Sequence, residues 1–211
     1  MRTNTYWTRF YDGSDDFEPS SFATWVGVRK LPSDIVVDIG CGEGRDSLFW
    51  ARQEQAQQLV IGLDQSPSAI ERARTRTSAT GLGERCQFLC VDLLDETWIR
   101  LFQQSRKPGQ ATLFYMRFLL HAVTAEVQED LLFAIRAVAN EGDSVAVEFR
   151  TTLDRDRSKA FPAHFRRYQS AADVKSGMEG NGFSLLDEDE GVGLSPFRGE
   201  DPHLCRQLWR L

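Results

Sequence analysis

The chain has 211 residues, a size that suits one domain, and its hydrophobic fraction of 41% is enough for a sizeable core. No run of about 18 apolar residues is present, so no membrane span is expected. The net charge of −6 argues against a nucleic-acid-binding surface, which carries a basic excess.

The first residues lack the apolar stretch of a signal peptide. Cys41, Cys86, Cys90 and Cys205 form no C-x-x-C pair and no metal-ligand spacing, and no metal site is expected. They read as small buried hydrophobes in a reducing cytosol, so a cytoplasmic location is expected.

Apolar runs and helical periods alternate along the chain, the pattern of a parallel sheet covered on both faces. An aromatic helical segment over 4–11 comes first, then a helix over 20–29 with Phe22, Trp25 and Val26 at helical spacing. Residues 1–30 read as a helical lid and 31–211 as the domain proper. Strands are expected at 34–39 and 59–63, with a helix over 44–54 between them. Ser66 caps the next helix, with Pro67 at its first position, and Gly81 ends it.

A strand at 86–91 and a helix over 96–104 precede the Pro108-Gly109 turn. A strand at 111–116 leads into a loop or short helix over 117–123. The helix over 124–140 sets Leu131, Leu132, Ile135 and Val138 on one face. A strand at 144–149 is followed by a polar insertion over 150–169, a helix over 171–179, and two final strands at 183–187 and 203–209.

Residues 36–44, Val-Val-Asp-Ile-Gly-Cys-Gly-Glu-Gly, are the most informative stretch. A strand ending in such a loop lets backbone approach a ligand closely, and the next helix aims its first amides at it. The following strand ends in Asp64, placed to accept bonds from the two hydroxyls of an adenosine ribose. A dinucleotide loop usually reads G-x-G-x-x-G, whereas this one reads D-x-G-x-G-x-G. Glu43 and Asp46 at its mouth would repel a pyrophosphate and suit a cationic ligand.

At Val36–Gly44 and Gly62–Asp64 the chain resembles the class I S-adenosylmethionine-dependent methyltransferases, and the resemblance covers nearly its whole length. It implies an α/β, Rossmann-like sheet of seven mostly parallel strands, an antiparallel last strand, and helices on both faces. It also implies S-adenosylmethionine as cofactor. Asp38, Gly40, Cys41, Gly42 and Gly44 would then face its methionine part. Asp92 and Leu93, in Cys90-Val-Asp-Leu, resemble the adenine-binding motif, with Gln65 beside the adenine.

Tyr6, Trp7 and Tyr11 read as an aromatic lid, Tyr6 and Trp7 over the cofactor and Tyr11 toward the acceptor, since a sulfonium gains attraction from an aromatic face. In this class the segment after the fourth strand lines both cofactor and acceptor. Here it includes Met116, Arg117 and His121. A helical turn would put Arg117 and His121 on one face, with His121 taking a hydroxyl proton. The segment lacks the Asn/Asp-Pro-Pro-Tyr-like motif of amino-methylating relatives, which favours O-methylation.

Glu148 reads as a second base or as a partner for Arg150. The insertion holds Arg150, Arg155, Arg157, Lys159, Arg166 and Arg167, a patch whose guanidinium forks suit an anionic acceptor. His164, Arg166, Arg167 and Tyr168 in His-Phe-Arg-Arg-Tyr, with the tail Gly199–Arg206, resemble a bacterial subgroup associated with glycan and polysaccharide biosynthesis. That implies a saccharide or anionic small-molecule acceptor, with no nucleic acid; a homodimer is admitted. Aminopropyl or carboxymethyl transfer, N-methylation of a small amine, and a cofactor-binding module without turnover stand as alternatives.

Overall fold

The computed structural model describes residues 18–53, 58–159 and 165–211. Seven strands form one sheet in the order β3-β2-β1-β4-β5-β7-β6. They are β1 (Ile35–Ile39), β2 (Leu59–Asp64), β3 (Cys86–Cys90), β4 (Thr112–Arg117), β5 (Ser144–Arg150), β6 (Ser184–Gly191) and β7 (Leu204–Arg210). β1 pairs in parallel with β2 and β4, whereas β7 runs antiparallel to both β5 and β6. The expected Rossmann-like sheet with a reversed last strand is therefore present. No helix among the described residues is long and apolar enough to cross a membrane.

Four of the six described helices begin at a residue whose side chain takes up a free amide. α1 (Ser21–Gly27) starts at Ser20, whose Oγ accepts from Ala23 N. α2 (Arg45–Ala51) starts at Gly44, at φ +75°. α3 (Pro67–Thr80) has Ser66 as cap and Gly81 at φ +72° as its close. α4 (Thr97–Ser105) follows β3, Thr124 caps α5 (Ala125–Val138), and Ser170 with Asp173 makes a capping box on α6 (Ala171–Gly180).

Both faces of the central strands are buried, so successive residues feed opposite cores. Ile35, Val37, Ile39, Phe114 and Val147 pack with Trp98, Phe102, Ile135 and Met178 beneath α4, α5 and α6. Val36, Val60, Leu113 and Tyr115 pack with Phe22, Trp50, Ile70 and Phe88 beneath α1, α2 and α3.

The region read as a polar insertion folds back on the sheet. A short 3-10 turn (Thr152–Asp154) buries Asp154, and Thr151 bridges to Gln169. Cys90 departs from its expected burial and is exposed at the end of β3.

Gly62 sits where the sheet meets Phe88. A Cβ there would lie 2.6 Å from Phe88 Cδ1 and 3.1 Å from Cys41 Sγ. Gly62→Ala should therefore lower unfolding free energy by about 1–3 kcal/mol. Gly83→Ala, with nothing within 4 Å of a new Cβ, should shift it by less than about 0.5 kcal/mol. Urea unfolding of the two variants checks this.

Candidate active site

Ligands in open α/β sheets bind at the carboxyl ends of the strands, where the strand order reverses. Here that point is the β1/β4 boundary. The glycine loop leaves β1 there and is pinned to β2, because Gly40 N and Cys41 N both donate to Leu63 O, at 2.8 and 2.9 Å. Gly40, Gly42 and Gly44 all have positive φ. At Gly44 the missing Cβ serves packing, since a Cβ would meet Phe88 Cζ at 2.9 Å.

Asp64 closes the loop from the neighbouring strand. Its Oδ2 accepts from Gly42 N at 2.9 Å and its Oδ1 from Ser66 N at 2.8 Å. Burial raises its carboxyl above the usual range, against these backbone donors. Asp38 lies at the end of β1, buried, and accepts from Ser47 Oγ at 2.5 Å. Its pKa is pushed from 3.8 to about 7, first by burial, which the Ser47 hydroxyl partly offsets, and then by the charges of Asp46 and Asp64.

Glu43 and Asp46 do not stand open at the mouth of the loop. Glu43 is drawn to α3, 2.6 Å from Arg72 Nε and 2.7 Å from an Arg76 guanidinium nitrogen. Asp46 is buried and accepts from Ser20 N, Ser20 Oγ and Tyr115 OH, at 2.8, 2.6 and 2.8 Å. Burial works to raise the Asp46 carboxyl, yet Arg117, Arg45 and the Ser20 donors outweigh it and hold it low. Cys41 is half-buried, and burial followed by Asp38 raises its thiol. Gln65 and Asp92 are exposed beyond β2 and β3, and Asp92 Oδ1 accepts from Leu94 N at 3.0 Å. Leu93 is half-buried and Met116 buried.

The acceptor side differs more from expectation. Residues 117–123 do not form a helical turn. Phe118 adopts a left-handed backbone, φ +57°, with its amide donating to Glu148 O at 2.8 Å. That conformation is strained for a side chain of this size. Arg117 and His121 are thus gathered around Phe118 rather than along a helix face. The Arg117 guanidinium carbon lies 4.4 Å from its ring centroid and the His121 ring 5.4 Å. Phe118 carried no local sequence signal.

His121 is buried, and its Nδ1 accepts from Arg150 N at 3.3 Å. A neutral ring in that arrangement carries its proton on Nε2, so the lone pair a base would use is already engaged. Glu148 pairs not with Arg150 but with Arg117 Nε at 3.1 Å and Arg206 Nε at 2.8 Å. Both of its oxygens are thus engaged by guanidiniums, which leaves neither open toward an acceptor. Arg206 was missed as a site residue; its other nitrogen donates to Ser21 Oγ and Leu194 O, both at 2.7 Å.

Three of the six cations of the basic patch are engaged inside the protein, whereas Arg155 and Arg157 are exposed. Arg150 is buried against Asp154 at 2.7 Å and Glu200 at 2.5 Å, and Lys159 reaches Asp154 at 3.2 Å. Arg167 donates to Val123 O and Leu120 O and pairs with Gln128 Oε1, clamping the 118–123 segment. These contacts give Arg150 and Arg167 structural partners in place of the expected acceptor. Arg166 and Tyr168 are half-buried; the Tyr168 ring centroid lies 5.7 Å from Lys159 Nζ and 5.9 Å from the Arg155 guanidinium carbon. Tyr6, Trp7, Tyr11 and His164 lie outside the described residues.

Comparison with known proteins bears on this edge of the sheet. A family described as a methyltransferase domain matches residues 36–142, just over half of the chain. A protein of Parasynechococcus marenigrum named as an uncharacterized RNA methyltransferase is 39% identical over 77 residues, 35% of this chain and 16% of that protein. The mRNA cap guanine-N(7) methyltransferase of Neosartorya fischeri is 32% identical over 77 residues, 36% of this chain and 11% of that protein. The chain therefore spans under a fifth of the length of either curated relative. The crystal structure of a SAM-dependent methyltransferase from Anabaena variabilis has a TM-score of 0.69 at 19% identity, covering 98% of this chain and 92% of that one, a likeness of fold.

Asp38 gives the fold a pH signature. With its folded pKa raised to about 7, the folded chain holds a proton that the unfolded chain releases near pH 4. Stability from this group is therefore present at low pH and is lost as pH rises from about 4 to about 7. Asp38→Asn should remove that loss, worth about 4 kcal/mol in full. Urea midpoints at pH 5 and pH 8 check it: the drop in wild type should shrink in the variant.

Proposed function

The chain belongs to the methyltransferase-domain family, and on that footing we propose that it binds S-adenosylmethionine and transfers its methyl group to a hydroxyl of a small molecule. One observation carries the cofactor reading. The carboxyl ends of β1 and β2 gather Asp38 and Asp64 around a glycine loop, and burial, then crowding with the charges of Asp46 and Asp64, pushes Asp38 to about 7. A cation bound there relieves that crowding, so the acids fit a sulfonium-bearing cofactor better than a pyrophosphate.

In this reading Asp64 keeps lone pairs for the ribose hydroxyls after serving Gly42 N and Ser66 N. Asp38 and the loop residues Gly40, Cys41, Gly42 and Gly44 hold the methionine end, and Gln65, Asp92, Leu93 and Met116 line the adenosine. When bound, the cofactor supplies an electrophilic methyl on a cationic sulfur. The chain's own task is to hold donor and acceptor in contact, which can contribute about 7–11 kcal/mol.

Phe118, flanked by Arg117 and His121, forms the acceptor wall at the end of β4. His121, its Nδ1 engaged by the Arg150 amide, acts as a positioning residue rather than as the base. An anionic saccharide acceptor loses support, because Arg150, Lys159 and Arg167 have carboxylate or amide partners within the fold. A neutral hydroxyl compound is the better match. The names of the two curated relatives favour a second reading, an RNA acceptor; the net charge of −6 and the engaged cations count against a polyanion.

Calorimetry with S-adenosylmethionine and S-adenosylhomocysteine tests the cofactor. Micromolar binding, about −8 kcal/mol, is expected. Asp64→Asn, which keeps one acceptor for a loop amide, should weaken it roughly tenfold. No binding to either compound overturns the reading. Incubation with S-adenosylmethionine and separate pools of neutral hydroxyl compounds, phosphorylated sugars and RNA then assigns the acceptor by which pool gains methyl mass.

A further inference from the structure

S-adenosylmethionine presents ribose hydroxyls, a sulfonium with an amine, and a carboxylate. The strand-end acids Asp38 and Asp64 suit the hydroxyls and the cations but repel the carboxylate. A carboxylate lying against them requires a cation of its own, and a guanidinium fork matches it best.

The strand register sets where such a cation stands. Asp38 is paired with Gly62 of β2 and with Tyr115 of β4. Two residues on, Asp64, Gly40 and Arg117 therefore lie level across the carboxyl ends of three adjacent strands, on the face that Asp38 and Tyr115 share. Strands stand about 4.8 Å apart, so the backbones at Asp64 and Arg117 are separated by about 10 Å across the glycine loop. An extended methionine arm on a ribose held at Asp64 covers a similar distance. The Arg117 charge also acts on both Asp38 and Asp46.

The Arg117 guanidinium is only partly used. Its Nε donates to Glu148 Oε1 at 3.1 Å, and Arg206 Nε holds the other oxygen of that carboxylate at 2.8 Å. Among the described residues neither Nη atom of Arg117 has a hydrogen-bond partner, and neither is sealed from solvent. The side chain keeps 24% of its surface exposed. The far end of the guanidinium is thus left as a fork for a second carboxylate. Neighbouring cations do not offer the same. Arg206 is buried and donates to Ser21 Oγ and Leu194 O. Arg150 lies between Asp154 and Glu200, and Arg45, on α2, is off this row.

We propose, on the footing of the cofactor reading above, that the Nη pair of Arg117 binds the carboxylate of the methionine arm while Glu148 holds the guanidinium in place through Nε. The cofactor is then fixed at both ends, its ribose at Asp64 and its carboxylate at Arg117.

Calorimetry on the full chain compares S-adenosylmethionine with its decarboxylated form, which keeps the sulfonium and the amine. Arg117→Gln should weaken S-adenosylmethionine roughly ten- to hundredfold and leave the decarboxylated form bound at least as tightly as in wild type. Removing a cation from beside an acidic cluster helps any net cation to bind, so a loss confined to the carboxylate-bearing ligand marks direct contact. Arg117→Lys keeps a charge beside Glu148 without the fork and should fall between wild type and Arg117→Gln. It carries the same comparison if Arg117→Gln does not fold. Arg45→Gln should leave the ratio of the two affinities as in wild type. If S-adenosylmethionine does not bind wild type, the cofactor reading falls and this contact with it. If it does bind, three results overturn the carboxylate contact alone: equal weakening of both ligands, unchanged S-adenosylmethionine affinity in the Arg117 variants, or a ratio that collapses in Arg45→Gln instead.

Discussion

Glu148 is wholly buried, and two guanidiniums hold its charge. Arg117, Glu148 and Arg206 lie in register across β4, β5 and β7, so one row of side chains crosses three adjacent strands. Removing Glu148 from that row would leave two guanidiniums without their carboxylate, at about 3–5 kcal/mol. Any slip in register would impose the same penalty, so the row fixes how the antiparallel last strand docks. Arg206 carries the constraint further. By donating to Ser21 Oγ and Leu194 O, it ties the start of α1 and the connection after β6 to the same carboxylate.

The two halves of the carboxyl edge are built on opposite electrostatic principles. On the β4 and β5 half, proposed for the acceptor, carboxylates and guanidiniums pair off: Glu148 with Arg117 and Arg206, Asp154 and Glu200 with Arg150. On the β1 and β2 half, proposed for the cofactor, Asp38 and Asp64 receive hydroxyl and amide donors. Arg117 stands at the divide, acting on Asp38 and Asp46 while pairing with Glu148. The buried Asp38 carboxylate weakens the fold at neutral pH, and under the proposed function the same strand ends would suit a cation. Stability given up at a binding site in this way is a common trade.

Much of the fold was legible because its signals are local. Ser66-Pro67 and Gly81 bracket α3, Thr124 opens α5, and the doubly buried strands appear as continuous apolar runs. The glycine loop and Asp64 were legible for the same reason: each is a strand-end feature with a fixed place in a βαβ unit. The illegible part is non-local. Arg206 pairs with Glu148 across 58 positions, and Glu43 is drawn off by Arg72 and Arg76 of the following helix. Pattern alone shows that a charge exists but not which charge it meets. Phe118 was missed because its left-handed backbone is imposed from outside, by Glu148 O, where local signals would have asked for glycine or asparagine.

That distinction decides how the insertion should be read. Counted along the sequence, six basic residues against two acids form an anion-binding patch. In space, three of the six are engaged: Arg150 meets two carboxylates, Lys159 shares one of them, and Arg167 bonds to carbonyls and an amide oxygen, while Arg155 and Arg157 stay exposed. Glu200 lies fifty positions beyond Arg150 and therefore fell outside the window in which the patch was counted. The field at the acceptor wall is set by pairs rather than by composition. What stands at the end of β4 is the Phe118 ring with Arg117 and Arg150 paired to carboxylates beside it; under the proposed function such a surface would select an acceptor by shape and ring contact more than by charge.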